Sequence, residues 1–210
     1  MKTGFFKNKK GLLFVVSGPA GSGKGTVLGI LLQNAEKYVY SVSATTRSPR
    51  PGEVDGKHYF FLTKEKFLSL VASDSFLEHA EYVGNCYGTL RSFVEEKLDE
   101  GKNVILEIEV QGALQIREKM PEAMLIFLCP PDYATLESRL RGRGTETDEV
   151  IKKRLATALE EIQIAAGYDY LVVNEDGRSA DCAAQIDGIV NTRPEKNKEN
   201  ILSFIKNFTE

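Results

Sequence analysis

The sequence predicts an α/β fold in which an open parallel sheet is covered by helices on both of its faces. Short apolar runs without polar interruptions are typical of strands that are buried on both sides of a parallel sheet. Such runs alternate along the chain with longer segments of helical periodicity, and this alternation is the sequence pattern of α/β domains. The predicted strands are Leu12–Val16, Val104–Ile108, Met124–Cys129 and Tyr170–Asn174.

Helices are predicted between these strands. The clearest begins at Asp148, because apolar residues recur at helical spacing from Ile151 to Ile162 with charged residues between them. Thr147 precedes this helix as a cap, and the carboxylates of Asp148 and Glu149 complement the positive end of the helix dipole. The predicted helices are Lys24–Gln33, Phe93–Glu100, Gln111–Lys119, Tyr133–Leu140, Asp148–Ile164 and Ser179–Val190.

Two segments interrupt the alternation. Residues 41–88 are rich in Thr, Arg, Pro, Gly and Tyr and contain short alternating runs, so they predict a small, mostly β insertion. An arginine- and glycine-rich run at residues 139–147 predicts a mobile loop of the kind that often serves as a lid. The predicted organisation is a basic tail (1–10), a main domain (11–190), and a polar linker with an amphipathic helix (191–210). Within the main domain, the predicted core consists of residues 11–40, 89–138 and 165–190, and the insertion (41–88) and the lid (139–164) lie between these core segments.

Composition limits the classes of partner. The chain has 210 residues, 42% of them hydrophobic and 27% charged, and a formal net charge of −3, which provides no general attraction to nucleic acid or to anionic membranes. No apolar stretch approaches the length of a membrane span. The three cysteines lack metal-ligand spacing and are interpreted as free thiols in a reducing cytoplasm. We therefore expect a cytoplasmic protein without nucleic-acid or membrane partners.

A glycine-rich loop lies between the first predicted strand and the first predicted helix. Glycines allow backbone N–H groups to converge on one anion, and the helix start adds further donors and a positive dipole end. Lys24 supplies a full charge for the β- and γ-phosphates of a nucleotide. The alternative is a simple glycine turn between a strand and a helix. The loop, which predicts a P-loop NTPase-type core and ATP binding, comprises Gly18, Pro19, Ala20, Gly21, Ser22, Gly23, Lys24, Gly25 and Thr26.

One position departs from the usual phosphate-loop pattern. The residue after Lys24 is Gly25, and the first hydroxyl comes at Thr26. This weakens the assignment of a magnesium-binding hydroxyl, which we place at Thr26. The Gly-Lys-Gly-Thr form is found in many small nucleotide kinases.

Further charged residues suit phosphoryl transfer between two anionic substrates. Such a reaction needs positive groups that hold both substrates, and arginine forks bind phosphate oxygens in pairs. Arg47 and Arg50 form one candidate pair, and Arg139, Arg143 and Arg154 form a second set near the predicted lid. A solvated turn and solvated helix ends are the alternatives for these arginines.

Two glutamates end the strand that starts at Asn103. Ligands of such sheets bind at the carboxyl ends of the strands, and a carboxylate there can hold Mg²⁺ through water. Because side chains alternate along a strand, we expect Glu107 and Glu109 to share one side of it. Solvated edge charges are the alternative.

Several motifs, in a shared order, resemble the guanylate kinase family. They are the glycine loop followed by Ser41–Phe61, Phe76–Tyr82, Gly84–Thr89 and Arg141–Glu146. The resemblance extends over nearly all of Leu12 to Asp176. It implies transfer of the γ-phosphoryl group of MgATP to GMP, giving ADP and GDP. It also implies that residues 41–88 form a GMP-binding subdomain and that a separate arginine lid closes over the site.

The resemblance also implies roles for individual residues. It assigns the GMP phosphate to Arg47, Arg50, Tyr59 and Tyr87, and guanine to Ser43, Glu78, Thr89 and Glu109. It implies that Lys24 and Arg47 act in catalysis, that the transferring phosphoryl group is enclosed by Arg139, Arg143 and Arg154, and that Asn174 lies near the adenine of ATP. Together with Thr26, Glu107 is expected to hold Mg²⁺. The family more often has aspartate at positions 107 and 109.

Two alternatives remain open at this point. One is an enzyme of the same fold with another acceptor, such as AMP or dGMP. The other is a non-catalytic scaffold domain of guanylate-kinase type that binds phosphopeptides. The intact Gly23-Lys24 pair and the lid arginines favour the enzyme. The C-terminal segment packs either on the core or on a second copy, so a homodimer also stays open.

Overall fold

The fold was analysed in a computed structural model that describes residues 10–142, 147–196 and 198–208. The strands in these ranges are β1 (Leu13–Ser17), β2 (Tyr38–Tyr40), β3 (Ser43–Thr45), β4 (Phe60–Phe61), β5 (Phe76–Tyr82), β6 (Asn85–Leu90), β7 (Asn103–Glu107), β8 (Met124–Cys129) and β9 (Tyr170–Val173). The helices are α1 (Lys24–Leu31), α2 (Lys64–Ala72), α3 (Arg91–Asp99), α4 (Val110–Lys119), α5 (Tyr133–Arg141), α6 (Asp148–Ile164), α7 (Ser179–Thr192) and α8 (Lys198–Asn207). A 3₁₀ turn, Ala165–Gly167, follows α6.

The strands form two sheets. Five of them make a parallel sheet in the order β2-β7-β1-β8-β9, which confirms the predicted α/β class. The other four make a sheet in the order β4-β3-β6-β5, with antiparallel pairing of β6 to both β3 and β5. This second sheet spans residues 43–90 and so extends two residues beyond the predicted insertion, because β6 ends at Leu90.

The predicted strands and helices are found with boundary shifts of at most two residues, and β8 and α6 have the predicted limits. Two elements were not predicted. Strand β2 has three residues, too short for a periodicity signal. Helix α2 lies within the segment that was predicted to be mostly β, and Thr63 caps it by accepting the Lys66 N–H at 3.2 Å.

The chain divides into two compact units. Unit 1 comprises the described residues up to Leu13 together with Ala35–Leu106 and Leu114–Ala123. Its four-stranded sheet packs against α2 through a buried cluster that contains Ala44, Phe67 and Phe76. The rings of Phe67 and Phe76 stack with centroids 4.5 Å apart, and this cluster fixes the strands that carry the polar residues described below.

Unit 2 comprises Phe14–Asn34, Glu107–Ala113 and the described residues after Met124. Strand β8 pairs in parallel with β1 on one side and β9 on the other, and all six of its residues are buried. Helix α8 packs on β9 and on the 3₁₀ turn. The preceding segment is fixed by an ion pair between Lys196 and the buried Asp169 (2.6 Å), whose carboxylate also accepts the Leu125 N–H at 2.9 Å. None of the helices in the described ranges combines the length and the apolar character needed to cross a bilayer.

Candidate active site

The glycine loop of unit 2 connects the end of β1 to the start of α1. Gly18, Gly21 and Gly23 have φ values of 152°, 94° and 88°, in the region that L side chains rarely adopt. A Cβ on Gly18 would lie 2.0 Å from the Leu128 carbonyl oxygen, so only glycine allows the loop to leave β1 so close to β8. The loop thereby presents the N-terminus of α1, where backbone N–H groups lack intrahelical acceptors and favour an anion.

Lys24 is the first residue of α1, and its side chain turns back over the loop. Its Nζ donates to the Gly18 carbonyl at 2.5 Å and to the Pro19 carbonyl at 3.2 Å. The ammonium group therefore lies beside the loop that the sequence assigns to phosphate. Gly25 and Thr26, which follow in the first turn, are exposed.

Arg139, near the end of α5, is held beside the glycine loop by several acceptors. Its Nε and Nη2 donate to one Asp176 oxygen at 3.0 and 2.6 Å, and Nη2 also donates to the Asn174 carbonyl at 2.7 Å. A longer contact of 3.4 Å reaches the Gly21 carbonyl. The guanidinium is thus positioned at one wall of a cleft of about 180 Å³ lined by Gly21, Gly23, Arg139, Asn174, Glu175, Asp176, Gly177 and Ser179.

Asn174 follows β9 and is almost completely buried, with 3% of its surface exposed. Its Nδ2 donates to the Ser22 carbonyl in the glycine loop at 2.8 Å, and its backbone N–H donates to the Cys129 carbonyl at 2.8 Å. The side chain expected near adenine is therefore engaged with the backbone of the loop.

Glu161 on α6 is a charged residue that the sequence analysis missed. Partial burial raises the pKa of this carboxyl to about 7, while Lys24 lowers it and Glu109 raises it by smaller amounts. Glu161 follows Arg154 by seven residues, so the two lie on the same face of the helix, two turns apart. That spacing from a predicted catalytic arginine was the available sequence signal.

Glu107 and Glu109 do not share one side of β7, so that expectation was wrong. Strand β7 ends at Glu107, and the Glu109 carbonyl already accepts the Ala113 N–H (3.1 Å) at the start of α4. Alternation of side chains therefore does not extend to Glu109, which is exposed, while Glu107 is half-buried. The turn between them is fixed by the buried Ser17 hydroxyl, which donates to the Ile108 carbonyl at 2.7 Å.

Unit 1 brings together the residues that the resemblance assigns to a phosphate. The Arg47 guanidinium lies 5.4 Å from the centre of the Tyr59 ring, and the Tyr59 and Tyr87 rings meet edge to face at 6.2 Å. Arg50 lies in the exposed turn nearby. Two aromatic hydroxyl-bearing rings thus flank one arginine.

Glu53 is a second residue that the sequence analysis did not assign, although it lies inside the quoted motif. One of its oxygens accepts from Arg47 Nη2 at 2.8 Å and the other accepts the Arg50 N–H at 2.7 Å. Hydrogen bonding to Arg47 holds the pKa of Glu53 at about 2, with a further contribution from the Arg50 N–H. The carboxylate therefore stays ionised and closes the turn that carries both arginines.

Three of the four residues assigned to guanine are cross-strand neighbours in unit 1. Ser43 on β3 and Glu78 on β5 both pair with Thr89 on β6, so all three lie on one face of the sheet. The Thr89 hydroxyl donates to Glu78 Oε1 at 2.6 Å, and Glu78 is only 6% exposed. The fourth, Glu109, belongs to unit 2.

Some assigned residues are not part of these clusters. Arg154 is half-buried on α6, and Arg143 lies outside the described residues. In the described ranges, no group of three or more His, Cys, Asp or Glu residues could hold a metal ion. Thr26 and Glu107 each supply the oxygen type that Mg²⁺ prefers.

Comparisons with known proteins point to one family. The sequence model of the family described as guanylate kinase matches residues 10–184. The chain is 56% identical over 170 residues to the guanylate kinase of Halalkalibacterium halodurans, covering 81% of this chain and 83% of that protein. It is 49% identical over 199 residues to the guanylate kinase of Clostridium perfringens strain SM101, covering 93% and 91%. Its structure is similar to the crystal structure of guanylate kinase from Anaplasma phagocytophilum, with a TM-score of 0.67, 36% identity and coverage of 91% and 90%.

Proposed function

We propose how the residues described above carry out the reaction of the guanylate kinase family, to which this chain belongs. The chain is an ATP:GMP phosphotransferase, which phosphorylates GMP at the expense of ATP. Phosphoryl transfer depends mainly on positioning and on positive charge around the transferred group. The proposals below concern which side chains supply each of these.

We assign ATP to the glycine loop of unit 2. The N–H groups at the start of α1 bind the phosphates, and the Lys24 ammonium exchanges the Gly18 and Pro19 carbonyls for β- and γ-phosphate oxygens. The proposal is supported by the positive φ angles of the loop and by the position of Nζ above it. The proposed ATP-binding residues are Gly18, Pro19, Ala20, Gly21, Ser22, Gly23, Lys24, Gly25, Thr26 and Asn174.

We assign the GMP phosphate to the arginine and tyrosine cluster of unit 1. Arg47 and Arg50 neutralise the phosphate, and the hydroxyls of Tyr59 and Tyr87 donate to its oxygens. Because Glu53 already holds Arg47 and the backbone of Arg50, the cationic turn is ordered before the anion arrives. Ordering in advance reduces the entropy cost of binding.

We assign the base to the face formed by Ser43, Glu78 and Thr89, with Glu109 as a further acceptor. Guanine presents N–H donors at N1 and N2, which a buried carboxylate can accept, and an O6 acceptor, which suits a hydroxyl. Adenine has an acceptor at N1 and no amino group at C2, so it offers the Glu78 carboxylate no donor at either position. Loss of these hydrogen bonds at a buried carboxylate costs a few kcal/mol (about 1–3). The buried carboxylate of Glu78 is the observation that carries the assignment of GMP as acceptor.

The lid arginines complete the proposed machinery. Arg139, Arg143 and Arg154 are proposed to contact the transferring phosphoryl group, whose charge is spread over three oxygens. In support, Arg139 already lies beside Gly21. Mg²⁺ bound with ATP supplies charge neutralisation of the phosphate oxygens. Thr26 and Glu107 are the residues proposed to hold it, since each offers an oxygen and Mg²⁺ takes few protein ligands.

The organisation of the chain is also a proposal. We propose a tail (1–10), a main domain (11–190) with a GMP-binding insertion (41–88) and a lid (139–164), and a C-terminal linker and helix (191–210). A cytoplasmic location is supported by the three unpaired cysteines. The exposed Leu202 on α8, 55% accessible, gives a homodimer a contact point.

One experiment tests the assignment of the acceptor. Formation of ADP from MgATP should be measured with GMP, dGMP, AMP, CMP and UMP as acceptors. We expect turnover with GMP to exceed that with AMP by at least a hundredfold, because a site that hydrogen-bonds one base rejects another that leaves buried polar groups unpaired. Comparable turnover with AMP would contradict the guanine assignment.

A further inference from the structure

We propose that Asn174 is a positioning residue that holds the backbone of the glycine loop in its phosphate-binding shape, and that the thiol of Cys182 orients the Asn174 amide. This inference rests on the assignment of that loop to ATP. The resemblance places Asn174 near adenine. The contacts of its side chain are with the loop instead.

The amide of Asn174 is committed to the loop backbone. Nδ2 donates to the Ser22 carbonyl at 2.8 Å, and the residues at both ends of this hydrogen bond are buried. The Ser22 carbonyl belongs to the peptide that joins Ser22 to Gly23. Rotation of that peptide would turn the Gly23 N–H, which the loop needs for phosphate, away from its direction.

The loop leaves space for this amide by having glycine at position 23. A Cβ on Gly23 would lie 2.3 Å from Asn174 Nδ2, closer than two such atoms can approach. The positive φ of Gly23 (88°) also disfavours any side chain there. The amide therefore packs directly against the loop backbone one residue before Lys24.

Cys182 on α7 fixes the other end of the same amide. Because the Ser22 carbonyl accepts only from the nitrogen, the Asn174 oxygen must point the other way. It lies 3.5 Å from the Cys182 sulfur, whose proton is shared between this oxygen and the Val173 carbonyl at 3.2 Å. Both ends of the amide thus have a partner, and its orientation is unique.

Asn174 also joins the loop to the lid arginine. Its backbone carbonyl accepts from Arg139 Nη2 at 2.7 Å while its side chain holds Ser22. One residue after β9 therefore positions two groups that are proposed to act on the phosphates of ATP. A displacement of Asn174 would disturb both.

The test compares Asn174→Ala, Cys182→Ala and Cys182→Ser with the wild-type enzyme. We expect Asn174→Ala to raise KM for ATP about tenfold, the effect of losing one buried hydrogen bond, and to change KM for GMP less than twofold. The ratio of kcat/KM with ATP to that with GTP as phosphoryl donor should stay within twofold of wild type. Cys182→Ala should raise KM for ATP about two- to threefold, and Cys182→Ser, which keeps a donor, should restore it.

The outcomes are distinguishable. Loss of the preference for ATP over GTP in Asn174→Ala would show that the side chain reads the base and would overturn the proposal, as would an unchanged KM for ATP. If Asn174→Ala does not fold, the two cysteine variants test the proposal instead. An equal KM for ATP in Cys182→Ala and Cys182→Ser would also overturn the proposal. The Lys24→Met variant tests the assignment of the loop to ATP, on which the proposal rests, and normal turnover in that variant would refute this assignment. An inactive Lys24→Met variant together with a normal Asn174→Ala variant would refute only the positioning role of Asn174.

Discussion

Replacement of Glu161 by glutamine should change how the stability of the protein depends on pH. Partial burial on α6 raises the pKa of this carboxyl from 4.5 to about 7. A group with a raised acid pKa binds more protons in the folded state than in the unfolded state between these two values. The protonated Glu161 carboxyl therefore contributes to the stability of the wild type at low pH. This contribution is lost, and the free energy of unfolding falls, as pH rises from about 4.5 to about 7.

The magnitude follows from the size of the shift. At about 1.4 kcal/mol for each pKa unit, full transfer of the shift into stability would be about 3 kcal/mol. Glu161 is only half-buried, so solvent screening reduces this to about 1–2 kcal/mol. Glutamine has the same shape and no charge, so Glu161→Gln should match the wild type near pH 4.5 and exceed it by about 1–2 kcal/mol above pH 7.5.

Urea unfolding between pH 4.5 and 8.5 measures this difference directly, because other titrating groups contribute equally to both proteins. Glu160→Gln is the matched control: it removes a carboxylate from the exposed neighbouring position on the same helix, and it should follow the wild-type pH curve. A constant difference between Glu161→Gln and the wild type at every pH would refute the reasoning, because it would show that the carboxyl titrates alike in both states.

Three further predictions concern the two sites and a strained turn. Lys24→Met should keep the fold and lower kcat at least a hundredfold, because a preorganised charge at the transferred phosphoryl group is lost. Circular dichroism would check the fold and a coupled ADP assay the turnover, and near-normal turnover would exclude a role for Lys24 in phosphoryl transfer. Glu78→Gln should raise KM for GMP about tenfold or more and leave KM for ATP within twofold, because the carboxylate beside Thr89 is in the acceptor site; equal changes in both constants would count against the base assignment. Val83→Asn should raise the free energy of unfolding in urea by about 1 kcal/mol. The exposed Val83 has a φ of 48° in the two-residue turn between β5 and β6, a conformation that asparagine tolerates better than valine. An unchanged unfolding midpoint would mean that this turn stores no strain.

The sequence predicted those parts of the fold whose signals are local. Strand β8 is an unbroken apolar run, and α6 has acidic residues in its first turn and regular apolar spacing, so both were found with the correct limits. Thr147 occupies the N-cap position of α6, but its side chain makes no capping hydrogen bond. Helix α2 was missed because it lies among short aromatic runs that suggested strands, although Thr63 and the charges after it were a cap signal.

The candidate site was less accessible to sequence reasoning where it depends on distant partners. The glycine loop and Lys24 could be found because loop, lysine and helix are contiguous. Glu53 could not be given a role because its position against Arg47 and Arg50 depends on how the turn folds. Glu161 acquires its raised pKa from burial, which becomes visible only when α6 packs near Lys24 and Glu109.

The division of the chain has a consequence for its synthesis. Unit 1 is complete in sequence at Ala123, but β8 of unit 2 pairs with β9, which ends about 50 residues later at Val173. At about 5–20 residues per second, a ribosome needs roughly 3–10 s to cover that distance. During this interval the wholly apolar β8 has been made and its second neighbour has not. An apolar strand without its second neighbour is prone to aggregate, so the nascent chain needs protection during this interval.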